Sequence, residues 1–308
     1  MKKHSDSAAA RTFIGCICAL ICEFIYGLSY IFTKHATGSA SELALMGWRF
    51  LVGALVMTLL ILSGVIKVNF KGKPVAPLVK IALFCPCIYF LGETFGISLT
   101  TASESGSIIA AIPVTSVILS TVILHRKPYP AQVAGICITM TGVLVTVFAA
   151  GTSASFSLTG YLFLFIAVVS YSLYSVFVAK ASDYTGSEIT YAMLLTGAIF
   201  YVILALSEAL LDGTFDNLIR LPLTDTAFLS AVIYQGIGCS IIAFYLSNIS
   251  IAYIGVNRNA SFMGIATLVS IFAGVLILGE TFSLLQGIGA VLILTGVYTA
   301  NILTKKEG

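Results

Sequence analysis

The sequence predicts an all-α integral membrane protein of ten transmembrane helices, arranged as two inverted five-helix repeats. Composition is the first reason: 58% of the residues are apolar and only 9% are charged, whereas a soluble domain carries roughly 25% charged residues. Many of the apolar runs reach about 20 residues, enough to cross a hydrocarbon core of roughly 30 Å at 1.5 Å per residue. The second reason is a repeat inside the chain. Residues 98–147 align with 252–301 at a constant offset of 154, placing Gln132, Gly135 and Gly142 on Gln286, Gly289 and Gly296. At the same offset Arg126 falls on Glu280 and Glu104 on Arg258. A further match sets Gly15, Tyr26, Leu28 and Phe32 over Gly160, Tyr171, Leu173 and Phe177. Two similar membrane halves whose corresponding loops differ in charge sign point to inverted topology, the arrangement of alternating-access carriers.

The first repeat, residues 1–153, holds spans at 12–33, 43–64, 78–98, 104–124 and 130–150. The second, 154–308, holds spans at 158–179, 189–211, 227–247, 260–279 and 284–303. Lys2, Lys3 and Arg11 before the first span imitate a secretory signal. The span is longer than a signal core, carries Glu23 near its middle and runs straight into the next, so it reads as a retained helix. Gly92 and Gly96 in the third span form a GxxxG suited to a close helix contact. At the fourth, Ser103 can cap the helix and Glu104 in its first turn complements the dipole. Pro113, mid-span, removes one helix hydrogen bond and predicts a kink, while its counterpart Thr267 keeps the ninth span continuous, so the halves are expected to bend unequally. Arg258 at the start of the ninth span opposes the helix dipole but can snorkel. Turn residues and short charged runs separate the spans, and no interval is long enough for an extra soluble domain.

Lysine and arginine collect on one side. With the N-terminus inside, the cytoplasmic segments hold Lys67, Lys71, Lys73, Lys80, Arg126, Lys127, Lys180, Lys305 and Lys306, and the other side only Lys34 and Arg220. The expectation is a multi-pass protein of the cell membrane with both termini cytoplasmic. The net charge of +3 is this orientation signal and does not indicate nucleic-acid binding, which needs a basic patch on a soluble face. All seven cysteines fall inside spans and read as small buried hydrophobes. His4, His35 and His125 lie near or beyond span ends and cannot complete a metal site with Cys18 and Cys22, and no disulfide framework is implied. No metal or cofactor is expected.

Charges at membrane depth name the candidate substrate-binding residues: Glu23, Tyr26, Arg49, Glu93, Tyr171, Tyr174, Asn257 and Arg258. An ionised side chain near the bilayer centre must face a cavity or a partner. Glu23 reads as a proton-accepting or amine-binding carboxylate, or as a structural group hydrogen-bonded between helices. Arg49 and Glu93 share a depth; together they suit a zwitterion, the arginine fork taking a carboxylate and the glutamate an amine, or they pair with each other and tie two helices. Tyr171 and Tyr174, at i and i+3, can form an aromatic wall with hydroxyl donors. Arg258, flanked by Asn257 and Asn259, can bind an anionic group at the inner mouth.

The repeat also resembles the EamA family of the drug/metabolite transporter superfamily. The residues that carry the resemblance are Thr101-Ala102-Ser103 leading to Ile112-Pro113-Val114 and Gln132-Val133-Ala134-Gly135, then Leu278-Gly279-Glu280-Thr281 with Gln286-Gly287-Ile288-Gly289, and Arg49. The chain departs from the family pattern in having His125-Arg126-Lys127 where the second copy has Gly279-Glu280, and Thr267-Leu268 where the first has Pro113-Val114. The resemblance covers nearly all of 12–303. It implies a ten-helix inverted repeat around a central cavity that moves small metabolites, often amino acids or related compounds, commonly outward, in some relatives with exchange or a coupling proton. The expected function is a secondary transporter of small metabolites, acting as monomer or homodimer. The alternatives are a carrier of neutral or cationic metabolites, a membrane receptor or scaffold, and an intramembrane enzyme. For the last, no HExxH, GxSxG, P-loop or Cys–His pair is present.

Overall fold

A computed structural model describes residues 2–36, 40–100, 108–149, 157–278 and 283–302. Among them every regular element is a helix: α1 (Lys2–Ala36), α2 (Glu42–Leu62), α3 (Ala76–Ser98), α4 (Ile112–Leu124), α5 (Pro130–Ala149), α6 (Leu158–Lys180), α7 (Gly186–Leu211), α8 (Phe215–Thr224), α9 (Thr226–Ser261), α10 (Gly264–Leu278) and α11 (Leu284–Ile302). Seven of these are long and apolar enough to cross a membrane, and α4, α5 and α10 contribute shorter apolar stretches. A lipid-embedded backbone must satisfy its polar groups within the segment, which is why apolar runs of this length fold as helices. Each helix then shows lipid on one side and protein on the other. On α1, Phe13, Ile17, Leu20 and Phe24 are exposed, while Ala19, Cys22 and Glu23 are buried.

Local chemistry sets the boundaries. Ser41 and Ser157 cap α2 and α6, and Asp225 accepts hydrogen bonds from the backbone N–H of Ala227 and Phe228 at the start of α9. Thr185 and Glu188 form a reciprocal capping box on α7. Several details differ from the sequence reading. The regular part of α4 begins at Ile112, so Pro113 lies in its first turn, where the missing N–H breaks no bond, and not at a mid-span kink. The irregularities lie elsewhere. α3 carries a π-helical stretch at Leu83–Ile88 with Cys85 at φ −144°, ψ 118°, and α9 carries one at Tyr234–Ala243. Beyond it α9 continues as far as Ser261, broken at Gly255, whose φ of 79° is reserved in practice for glycine. Arg258 therefore sits in the last turn of α9, where a cation complements the dipole, rather than at the head of the next helix. Residues 215–224, expected to be connection, form α8; Phe215, Ile219 and Leu223 are exposed, and the Trp48 indole donates to the Leu218 carbonyl at 3.0 Å. Ser103, Glu104 and Glu280 lie outside the described residues.

In lipid, helices associate through close packing and interhelical hydrogen bonds rather than hydrophobic exclusion. The pairings follow a pattern: α1 packs on α9 and α10, α6 on α3 and α4, α2 on α7, and α5 on α11. Where α5 crosses α11, Gly135 lies against Gly296 and Gly142 against Gly289. A Cβ on Gly142 would stand 2.7 Å from the Gly289 oxygen and 2.8 Å from the Ile293 nitrogen, so only glycine permits this approach. In the sequence repeat Gly135 corresponds to Gly289 and Gly142 to Gly296, so each glycine meets the counterpart of the other. Between α2 and α7, Gly53 faces Leu194 while Gly197 faces Phe50. The main core fills the space between α2, α3, α6, α7 and α9. Phe50 stacks on Tyr201 at 5.3 Å, and the Tyr201 hydroxyl donates to the Cys87 carbonyl (2.8 Å) beside the irregular turn of α3.

Candidate functional site

A cavity of about 640 Å³ lies among the helices. Its walls come from the C-terminal half of α1 (Glu23, Tyr26, Ser29), the N-terminal half of α2 (Glu42, Met46, Arg49), the C-terminal half of α3 (Tyr89, Phe90, Glu93, Thr94), and residues of α4, α5, α6, α9 and α10. Those ends of α1, α2 and α3 share one side of the molecule, opposite the lysine-bearing 63–75 connection. The cavity thus runs from mid-depth toward that side.

Arg49 is 5% exposed and is held from two directions. Its Nε donates to Ser240 Oγ at 2.7 Å and its Nη1 to Gln235 Oε1 at 3.4 Å, both from the π-helical part of α9. The guanidinium lies over the Phe90 ring at 4.6 Å and near the Phe50 ring at 5.2 Å, contacts that offset part of its desolvation. No acceptor among the described residues meets Nη2. Glu93 accepts a hydrogen bond from the Tyr89 hydroxyl at 2.7 Å, one helical turn away, and forms no ion pair with Arg49. Glu23 is 5% exposed. Among the described residues its carboxylate makes no hydrogen bond or ion pair, and the Tyr26 and Tyr171 hydroxyls likewise have no partner. A buried polar group without a protein partner is costly unless something else meets it. One cavity therefore presents a guanidinium edge on α2, carboxylates on α1 and α3, and phenolic donors on α1 and α6. Phe90, Phe244, Met46, Met140 and Met263 supply aromatic and adaptable apolar walls.

Five of the eight candidates named from sequence, Glu23, Tyr26, Arg49, Glu93 and Tyr171, line this cavity. The other three do not. Tyr174 lies one turn further along α6, its hydroxyl donating to Asn248 Oδ1 at 2.7 Å, while Asn248 Nδ2 donates to Thr190 Oγ1 at 3.0 Å. Asn257 accepts from Ser120 Oγ at 2.7 Å, and Arg258 Nη2 donates to the Asn301 carbonyl at 3.2 Å. The sequence reading passed over Tyr89 and Ser240, which orient Glu93 and Arg49. For Tyr89 a signal existed, its i, i+4 spacing to Glu93; for Ser240, on a distant helix, none did. On the side away from the cavity, Lys73 Nζ meets both Glu188 oxygens at 2.7 and 2.9 Å and lies 5.4 Å from the Tyr184 ring centre.

Residues 13–148 and 158–302 each match the profile of the EamA-like transporter family. The uncharacterized transporter YcxC of Bacillus subtilis (strain 168) is 29% identical over 100% of this chain and 97% of its own length. A probable amino-acid metabolite efflux pump of Escherichia coli (strain K12) is 21% identical over 92% of this chain and 93% of its own. A solved crystal structure at 21% identity superposes with a TM-score of 0.74, covering 96% of this chain and 99% of the other, a likeness of fold.

Proposed function

The chain belongs to the EamA-like transporter family, and from that premise we propose that this multi-pass membrane transporter carries small zwitterions, amino acids or closely related metabolites, outward across the cell membrane by alternating access. The observation that carries the substrate class is the cavity itself, with Arg49 on one wall and Glu23 and Glu93 on two others. A substrate carboxylate fits the free edge of Arg49, and a substrate ammonium meets Glu23, the mid-depth carboxylate that no protein group among the described residues holds. Glu23 is also the place for a coupling proton. The name of the Escherichia coli relative, an amino-acid metabolite efflux pump, supports the same class and direction.

Alternating access rests on two inverted five-helix repeats, 1–153 and 154–308, with both termini cytoplasmic. The separate family matches of the two halves, the exchanged glycine contacts of α5 and α11, and the placing of π-helical stretches in α3 and α9 support this arrangement. The cavity then faces the outside. A second reading, a carrier of cationic metabolites, is favoured by the excess of carboxylates over guanidinium in the cavity.

Flux into proteoliposomes separates the two. Charge-assisted hydrogen bonds contribute about 1.5–3 kcal/mol, so Arg49→Gln is expected to reduce uptake of amino acids about tenfold or more, and of their amides far less. Equal loss for acid and amide rejects the zwitterion reading in favour of the cationic one.

A further inference from the structure

The bond network beneath the cavity occupies positions with a special relation to its walls. The matched pair Tyr26 and Tyr171 makes Ser29 the counterpart of Tyr174. Counting from Gly53 and Gly197, each followed by an alanine, Met46 corresponds to Thr190. The offset of 154, extended back along α3, pairs Thr94 with Asn248. Ser29, Met46 and Thr94 all line the cavity. Their counterparts Tyr174, Thr190 and Asn248 are sealed together by hydrogen bonds of 2.7 and 3.0 Å, each at most 1% exposed. When two inverted halves exchange conformations, counterparts exchange environments. The packed node in one state becomes cavity wall in the other.

We propose that Tyr174, Thr190 and Asn248 line a second, latent cavity that opens toward the lysine-bearing side, and that the Lys73–Glu188 ion pair is the latch holding it shut. This rests on the carrier reading above. The latch lies where a latch must. Glu188 is two residues before Thr190 on α7, and its carboxylate binds the 63–75 connection twice, through Lys73 and through the Asn69 backbone N–H at 3.1 Å. The latent cavity also differs from the present one in charge. By the same correspondences Glu23, Arg49 and Glu93 map onto Val168, Met193 and Ser247. The mid-depth stretch of the lysine-side path is therefore neutral, so a charged substrate gripped by Glu23, Arg49 and Glu93 finds no matching grip there.

The experiment is labelling of the full chain in membrane vesicles with an impermeant maleimide. Thr190→Cys is introduced with Cys137, the exposed native thiol, and Cys85, which lines the cavity, both replaced by serine. Labelling is expected to be slow, to rise several-fold from the Lys73 side alone when Glu188→Gln is added, and to fall back when Lys73→Glu is combined with Glu188→Lys. Reagent added from the other side is expected to label neither background. Unchanged labelling after Glu188→Gln, in a variant that still elutes as a folded species, overturns the latch. Labelling from the cavity side overturns the latent path. A chain that answers the latch change but moves no solute in proteoliposomes loses the carrier reading and keeps the gate.

Discussion

An ionised carboxylate near the middle of a transmembrane helix costs about 2.5–3.5 kcal/mol on insertion scales, and Glu23 sits there with no partner among the described residues. The cavity wall makes the position tolerable, because a polar space can present a proton, an ammonium or solvent to the group. Glu23→Gln keeps the shape and removes the charge. It is expected to fold, to transport at a fraction of the wild-type rate, and to lose whatever dependence on pH wild-type flux shows between about pH 5.5 and 8.5. Normal flux with normal pH dependence in the Gln variant would reduce Glu23 to a structural residue. Glu23 and Arg49 were legible in the sequence because charge in an apolar run is conspicuous. Tyr89 and Ser240 were less so, because neutral hydroxyls are common in membrane helices and their importance comes from what folding sets beside them. Arg258 was misread for a different reason. Its role depends on which helix end it occupies: the eighth span was expected to end at 247, whereas α9 runs past Gly255 to Ser261.

Among elements, the α5–α11 crossing shows how little freedom the packing leaves. Gly135, Gly142, Gly289 and Gly296 bring two backbones together, and an added Cβ at Gly142 meets backbone atoms of α11, not the movable end of a side chain. Such overpacking costs about 1–3 kcal/mol. Gly142→Val should therefore lower the melting temperature of the purified protein, while Cys137→Ser, at an exposed position on the same helix, leaves it in place. An unaltered melting temperature for Gly142→Val would show that this seam is not a fixed contact. The sequence repeat made the glycines visible because they recur at one offset. It left the π-helical stretches of α3 and α9 hidden: the first contains Pro86, which removes a helix hydrogen bond and was passed over, and the second contains no proline to mark it. Helix α8 was missed because ten residues of amphipathic spacing between two long apolar runs resemble a connection.

At the scale of the molecule, the family profile matches residues 13–148 and 158–302 separately, and the all-helical membrane character and the places of the long apolar helices could be read from hydropathy alone. Which helices touch could not, because contacts such as Gly53 to Leu194 join residues more than a hundred positions apart. Orientation in the membrane is the remaining global property, and it rests on the lysine and arginine asymmetry. The 63–75 connection carries Lys67, Lys71 and Lys73, while the connection from α7 to α9 carries Asp212, Asp216 and Asp225 with Arg220 as its single cation. Positive segments stay inside. The proposed inversion of the halves predicts that these two connections, which follow the second helix of each half, lie on opposite faces. Lys71 and Asp216 are both exposed, and neither position needs the positive φ of neighbouring Gly72 (75°) or of Gly213 (67°), so a cysteine at either is unstrained. An impermeant maleimide added to intact cells should label Asp216→Cys and spare Lys71→Cys, and inside-out vesicles should reverse the result. Labelling of both from the same face would remove the inverted arrangement. It would also remove the reason for expecting the cavity to face outward, since an even number of helices between the two sites puts the 63–75 connection and α8 on one surface.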